Sequence, residues 1–184
     1  MNTTQVALTL GSLLLSAAAR DLNAQGWQAP STSTAQPAAS APQNFTRSFY
    51  DWYSTLVKAK HSAPPWLAAL DQRAAHFKPE LSQALRGASM PRKGDEADDI
   101  EELDFDPFLW SQDPCERYEV GKVTGKGASY HVEVYSICEG EKSDRPEVIV
   151  ELVQTPQSWV FVNFHYPEDD SDLLSELRML RDDD

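Results

Sequence analysis

An aromatic cluster, Phe49-Tyr50-Asp51-Trp52-Tyr53, constrains the fold of this chain more than any other stretch of its sequence. Together with Phe45 and Leu56, its apolar members recur at the three, four and seven spacing that places them on one face of an α-helix. Asn44 precedes the pattern and can cap the helix, because an Asn side chain accepts hydrogen bonds from the unpaired N–H groups of a first turn. We predict a helix that begins at Asn44 and packs its aromatic face into a core.

The first 24 residues have the organisation of a secretory signal peptide. An apolar run at 6–15 is followed by Ala17-Ala18-Ala19, and the run is too short for a comfortable membrane span. Cleavage after Ala24 or after Ala19 fits the small-residue rule, and we favour Ala24. No cysteine lies near this position, so the acceptor for a lipoprotein anchor is missing. We predict export to the periplasm without a membrane anchor after cleavage; the alternative is an uncleaved anchor.

Residues 25–43 are rich in Pro, Ala, Ser and Thr and contain almost no large apolar groups. Such a segment cannot bury enough surface to offset the entropy lost on ordering, so we predict a disordered tether. The remainder, 44–181, is long enough to bury a single core and is predicted to form one domain.

The chain carries a formal net charge of −13, and one Arg and one Asp within residues 1–24 leave the mature chain equally acidic. This balance argues against a nucleic-acid partner, because phosphate binding requires a basic face. A cationic protein is a compatible partner, since opposite net charges accelerate encounter. Solubility alone is the alternative explanation of the charge.

The only two cysteines, Cys115 and Cys138, are expected to form a disulfide in an exported protein. They flank a predicted hairpin with strands at 118–124 and 129–138. A three-residue turn centred on Lys126 would place Val120 opposite Val132. That register leaves the cysteines one position out of line, so the bond requires a bulge near Pro114 or a two-residue turn.

The order of elements predicts an α+β fold. Helical patterns follow the aromatic helix, and one of them begins at Pro79. After the hairpin, strands are predicted at 147–154 and 159–166, and a short helix follows, capped by Asp170-Ser171-Asp172. Helices followed by an antiparallel meander indicate a sheet that curls around the first helix.

An acidic segment separates the helices from the hairpin. It is a poor calcium site, because no glycine stands where an EF-hand loop turns and no bidentate Glu follows at the required distance. We predict a solvated loop, with a divalent-ion site or a surface for a cationic partner as the alternative. The candidate partner-binding residues are Asp95, Glu96, Asp98, Asp99, Glu101, Glu102, Asp104 and Asp106.

As an ordered set, several motifs between Ser48 and Leu180 resemble the bacterial DUF3828 domain. These motifs are Phe49–Tyr53, Pro79-Glu80-Leu81, Asp104–Phe108 with Ser111-Gln112-Asp113, Tyr118–Gly121 and the strand that contains Trp159. The resemblance implies an exported domain with a cone-shaped, NTF2-like α+β fold and no established activity. The long acidic segment is a departure from the family pattern, as is the missing lipid-acceptor cysteine.

Side chains that combine apolar surface with a polar tip are the candidates for lining a pocket inside the cone. They are Tyr50, Trp52, Tyr53, Trp110, Tyr130, His131, Trp159 and His165. For the aromatic helix, core packing is the favoured interpretation, and a role of Tyr50, Trp52 and Tyr53 in lining a pocket is the alternative.

No catalytic motif is present in the sequence. A nucleophile elbow and a phosphate loop are both missing, and no ligands are paired at helical or turn spacing for zinc. The alternative is that His131 and His165 pair with Asp104 or Asp106 as acid–base dyads at the cone mouth. We predict no catalytic residue, no metal and no cofactor.

These observations favour an exported, non-enzymatic binding protein of the bacterial envelope. The leading hypothesis is an immunity protein or inhibitor that neutralises a secreted toxin acting on the cell wall or the membrane. The alternative is a small-ligand-binding or envelope accessory protein that uses the cone interior, and an NTF2-like enzyme is less favoured.

Overall fold

The computed structural model describes residues 40–59, 63–89 and 103–182. The predicted signal peptide at 1–24, nearly all of the predicted tether and most of the acidic segment lie outside these residues. Within the described ranges, no helix combines the length and the apolar character needed to cross a membrane.

The described chain forms helices first and a sheet second. The helices are α1 (Ser40–Lys58), α2 (Pro65–Gln72), a 3-10 turn (Ala74–His76), α3 (Pro79–Ala88) and, after the sheet, α4 (Leu173–Asp182). The strands are β1 (Arg117–Lys126), β2 (Ser129–Cys138), β3 (Glu141–Lys142), β4 (Val148–Gln154), β5 (Trp159–Tyr166) and β6 (Ser171–Asp172). The sheet is antiparallel with the order β1-β2-β4-β5-β6, and β3 pairs with the end of β2. The predicted α+β class is confirmed.

Helix α1 begins earlier than predicted, at Ser40. Asn44 therefore lies inside the helix and does not cap it; its Oδ1 accepts a hydrogen bond from Arg47 at 3.0 Å. Residues 40–43, which were assigned to the tether, belong to this helix. The side chain of Thr46 is buried and donates to the carbonyl of Pro42, which ties the first turns together.

The β1–β2 hairpin contains the predicted disulfide between Cys115 and Cys138. The turn has two residues and pairs Lys126 with Ser129, which is the alternative that was left open for the bond, so the register of the three-residue turn is wrong. Gly127 occupies the first central position with φ +64°, which a residue without a Cβ adopts at low cost.

A bulge in β1 shifts the register by one residue between Val120 and Val123, so that Val120 pairs with Val134. Gly121 lies in the bulge, where an added Cβ would come within 2.6 Å of the Tyr135 ring. A larger residue at this position would therefore force the Tyr135 ring to move.

The two faces of the sheet differ in composition. Val132, Val150 and Phe161 are buried on one face, which we call the core face, and Phe49 of α1 packs on Phe161 with ring centroids 4.8 Å apart. Because side chains alternate along a strand, His131 and Glu151 point to the opposite face, which we call the outer face.

Aromatic rings fill the space between α1 and the core face. Phe108 makes ring contacts with Phe49, Phe77 and Phe164, at centroid distances of 5.7, 5.2 and 4.9 Å. These rings are nearly or completely buried. The interior that the cone prediction reserved for a ligand is occupied by the protein's own side chains.

Candidate functional site

Asp106 is a buried carboxylate at the end of the aromatic core. Its Oδ2 accepts a hydrogen bond of 2.5 Å from the Tyr53 hydroxyl, and its Oδ1 accepts one of 2.9 Å from the N–H of Phe108. Burial raises the pKa of the Asp106 carboxyl to about 6, although these hydrogen bonds act to lower it. The prediction that Asp106 belongs to a partner-binding surface is wrong, because this carboxylate is directed into the core.

Two further tyrosines attach the 104–111 loop to the core. The Tyr50 hydroxyl donates to the carbonyl of Phe108, and the Tyr166 hydroxyl donates to the carbonyl of Pro107, both at 2.8 Å. Tyr50 and Tyr53 are 1% and 0% exposed. They therefore act as core residues that satisfy buried backbone and carboxylate groups, and the interpretation of them as pocket residues is wrong.

The same loop presents Trp110 at the surface. Its ring stacks on Tyr166 at a centroid distance of 3.8 Å and contacts Phe105 at 4.5 Å, while its Nε1 donates to Asp169 at 2.7 Å. Trp110 has a φ of 51°, a left-handed conformation that a bulky residue adopts only at an energetic cost. Strain of this kind is held in place by surrounding contacts, and here those contacts keep an indole half-buried.

One exposed carboxylate, Asp169, accepts the indole hydrogen bond, and its chain neighbours Glu168 and Asp170 are exposed in the same turn after β5. Exposed Asp104 precedes Phe105, whose ring contacts Trp110. We refer to Asp104, Phe105, Trp110, Glu168, Asp169 and Asp170 together as the Trp110 patch. The sequence analysis named Trp110 and Asp104 as candidates; it placed the first in a pocket, and its candidate residues do not include the acidic turn at 168–170.

The remaining aromatic candidates do not form a common pocket. Tyr130 and Trp159 make an edge contact at 5.0 Å, and alternation places both on the core face at one end of the sheet. Trp52 is half-buried on α1, with the Arg73 guanidinium 4.7 Å from its ring centroid. A groove of about 640 Å³ between α3 and α4 is lined by none of the predicted pocket residues.

A polar cluster on the outer face brings together three neighbouring strands. His131 on β2 is the register partner of Glu151 on β4, and His165 on β5 is the partner of Ile149, two residues from Glu151. His165 Nε2 lies 3.1 Å from Glu151 Oε2, and His131 Nε2 lies 4.0 Å from Glu151 Oε1. The two imidazoles are stacked, with centroids 5.2 Å apart.

The cluster is accessible from solvent without being fully exposed: its side chains are 19%, 25% and 31% exposed for His131, Glu151 and His165. Burial lowers the pKa of His131; Glu151 raises it, whereas His165 and Lys126 lower it further. The sheet holds two imidazoles against one carboxylate, an arrangement suited to proton transfer or to holding a cation.

Neither Asp104 nor Asp106, which the sequence analysis considered as dyad partners of these histidines, belongs to the cluster. Asp104 is exposed and accepts a hydrogen bond from Gln112, while Asp106 lies in the core. Sequence reasoning missed Glu151. Its position as a carboxylate between two buried apolar residues of a β-branched strand marks it as facing outward, but its partners depend on the β2–β4 and β4–β5 registers.

The other predicted partner-binding residues lie outside the described ranges. They are Asp95, Glu96, Asp98, Asp99, Glu101 and Glu102.

In comparisons with known proteins, no family model, no curated protein and no solved structure matches this chain. The resemblance to the DUF3828 domain therefore stays a prediction.

Proposed function

We propose that this chain is an exported, non-enzymatic binding protein of the bacterial envelope, built on an NTF2-like domain of the DUF3828 type, that binds a cationic protein. The partner class we favour is a secreted antibacterial toxin that degrades the cell wall or the membrane, which would make the chain an immunity protein. The export signal at 1–24 belongs to this proposal.

The Trp110 patch is the observation that carries the proposal. Tryptophan is enriched among the residues that contribute most to protein–protein affinity, because a large ring desolvates well and its N–H fixes an orientation. Here a strained backbone holds the indole beside a turn of three consecutive exposed acidic residues, Glu168, Asp169 and Asp170. An aromatic anchor with an acidic rim suits a basic surface, and the net charge of −13 favours the encounter.

The packed interior supports a surface function over a ligand chamber. Phe108 is 0% exposed and is enclosed by other aromatic rings, and the Tyr50 and Tyr53 hydroxyls are already paired. A small molecule in the cone would have to displace side chains at a cost similar to that of overpacking a core.

Affinity capture with matched variants tests the proposal. The exported protein is immobilised and exposed to the secreted and periplasmic fraction of the producing cells, with Trp110→Ala and Glu168→Gln beside the wild type. Met179→Ala is the control for loss of an exposed apolar side chain, since Met179 is 54% exposed on α4. We expect one basic protein that is retained by the wild type and the control and is lost with Trp110→Ala.

The association and dissociation rates of the variants, measured at different salt concentrations, then separate electrostatic steering by the acidic turn from contact made by the indole. Glu168→Gln should slow association and reduce its salt dependence between about 0.1 M and about 1 M, where the Debye length falls from about 10 to about 3 Å. Trp110→Ala should instead accelerate dissociation. Recovery of the same proteins by all variants, with unchanged melting temperatures, would refute the proposal.

A further inference from the structure

The polar cluster on the outer face has no role in the core or in the Trp110 patch. We propose that His131, Glu151 and His165 bind one divalent transition-metal ion, for which Zn²⁺ is the best match. The proposal is independent of the partner-binding function, because it rests on different residues.

The donor atoms are already close to coordinating distance. One ligand atom from each of the three residues lies within 4.8 Å of the other two. With metal–ligand bonds of about 2.0 to 2.1 Å in a tetrahedral arrangement, neighbouring donors stand roughly 3.3 Å apart. His165 Nε2 and Glu151 Oε2 meet this spacing at 3.1 Å. His131 Nε2 lies 4.0 Å from Glu151 Oε1, so the three donors have to draw together by at most about 1.5 Å when an ion binds.

The scaffold is rigid where the site requires it. All three residues lie in paired strands, and the β4–β5 register shifts between Glu151 and Leu152. The shift leaves one extra residue on β5 beside Glu151, and bulges of this kind are common next to functional sites. Ligands held by regular strands lose little conformational entropy when an ion binds.

The donor set determines the class of ion. Two imidazoles and one carboxylate suit Zn²⁺ and its neighbours in the transition series, whereas Ca²⁺ and Mg²⁺ prefer oxygen ligands alone and Cu⁺ prefers sulfur. Two histidines and one glutamate also match the protein ligands of zinc sites that keep a fourth position open for water or another ligand. The Zn²⁺ in this site would therefore have a coordination position available to a second molecule.

Charges of both signs neighbour the cluster. Asp172 is the register partner of His165 and accepts hydrogen bonds from Asn163 and Ser175. Its carboxylate is therefore fixed beside the cluster and adds negative charge. Lys126 acts in the opposite sense on His131.

Zinc titration of the exported protein, purified without a histidine tag, tests the site. We expect calorimetry to show one Zn²⁺ per chain. His131→Asn, His165→Asn and Glu151→Gln should each weaken binding at least about tenfold, because each removes one of three ligands. His76→Asn is the matched control, since His76 lies on the 3-10 turn and stacks on Phe45 outside the cluster. Circular dichroism checks that each variant is folded.

A second measurement needs no variant. In the wild-type protein, Zn²⁺ should shift the ring proton resonances of His131 and His165 together, at equal stoichiometry, and leave those of His76 in place. A wild-type chain that takes up no Zn²⁺, or variants of the cluster that bind it as tightly as the control, would overturn the assignment.

Discussion

The two faces of the sheet show how the same strands serve two purposes. On the core face, Val132, Val150 and Phe161 are completely buried and contact other apolar side chains. On the outer face, one residue away along β2 and β4, His131 and Glu151 are partly exposed and paired with each other. Because side chains alternate, the core-face residues contribute to stability and the outer-face residues form the polar cluster. Substitutions on the two faces should therefore have different consequences.

The largest expected effect is loss of a core ring. Phe161→Ala removes a fully buried side chain that contacts rings from α1 and from the segment after α2, and we expect the free energy of unfolding to fall by about 3 to 5 kcal/mol. Val153→Ala, on the half-buried outer face of β4, is the matched control and should cost about 1 kcal/mol or less. Urea unfolding gives both values. Equal losses would contradict the assignment of the faces.

The disulfide is expected to have the next largest effect. It joins residues 23 apart in sequence and closes the open end of the β1–β2 hairpin. Replacing both cysteines with serine should lower the free energy of unfolding by about 3 kcal/mol, because the unfolded chain regains loop entropy. Thermal melts of this variant and of the reduced wild type should agree. A variant as stable as the oxidised wild type would show that the hairpin does not need the bond.

Asp106 should make the core pH-sensitive. Its folded pKa of about 6 lies above its unfolded value, so protonation favours the folded state, and this contribution is lost as the pH rises through about 6. Lowering the pH from about 7 to about 5 should stabilise the wild type by about 1 kcal/mol relative to Asp106→Asn. The difference between the two proteins isolates this group from other titrations. A difference of the opposite sign would contradict its burial.

The smallest effect is expected on the outer face. Glu151→Gln keeps the size of a partly exposed side chain and should change the free energy of unfolding by less than about 0.5 kcal/mol in metal-free buffer. With Zn²⁺ added, the wild type should gain melting temperature and the variant should not. A large loss of stability in metal-free buffer would make Glu151 a structural residue.

The helices and strands that the sequence predicted correctly are those that depend on residues close together in the chain. The aromatic face of α1 follows from helical spacing, and the bounds of β5, Trp159–Tyr166, follow from its alternating apolar residues and the turn before it. The Asn44 cap was wrong because the apolar spacing locates a helix face and does not locate its first residue.

Contacts between residues that are far apart in the chain could not be predicted from the sequence. The hairpin register depended on whether Gly125 or Gly127 began the turn, and the bulge at Gly121 had no local signature. Glu151 joins the histidines only through pairing across three strands. Asp106 looked like part of an acidic surface, and its burial depends on Tyr53, 53 residues away.

Native mass spectrometry of the exported protein tests the central claim, that the interior is filled and that binding takes place at the surface. The account predicts the mass of the chain beginning after Ala24, with its disulfide formed and no bound organic molecule, and a mass increase only from a metal ion. A small organic molecule that stays with the folded chain and is released on unfolding would contradict it and would place the ligand in the core.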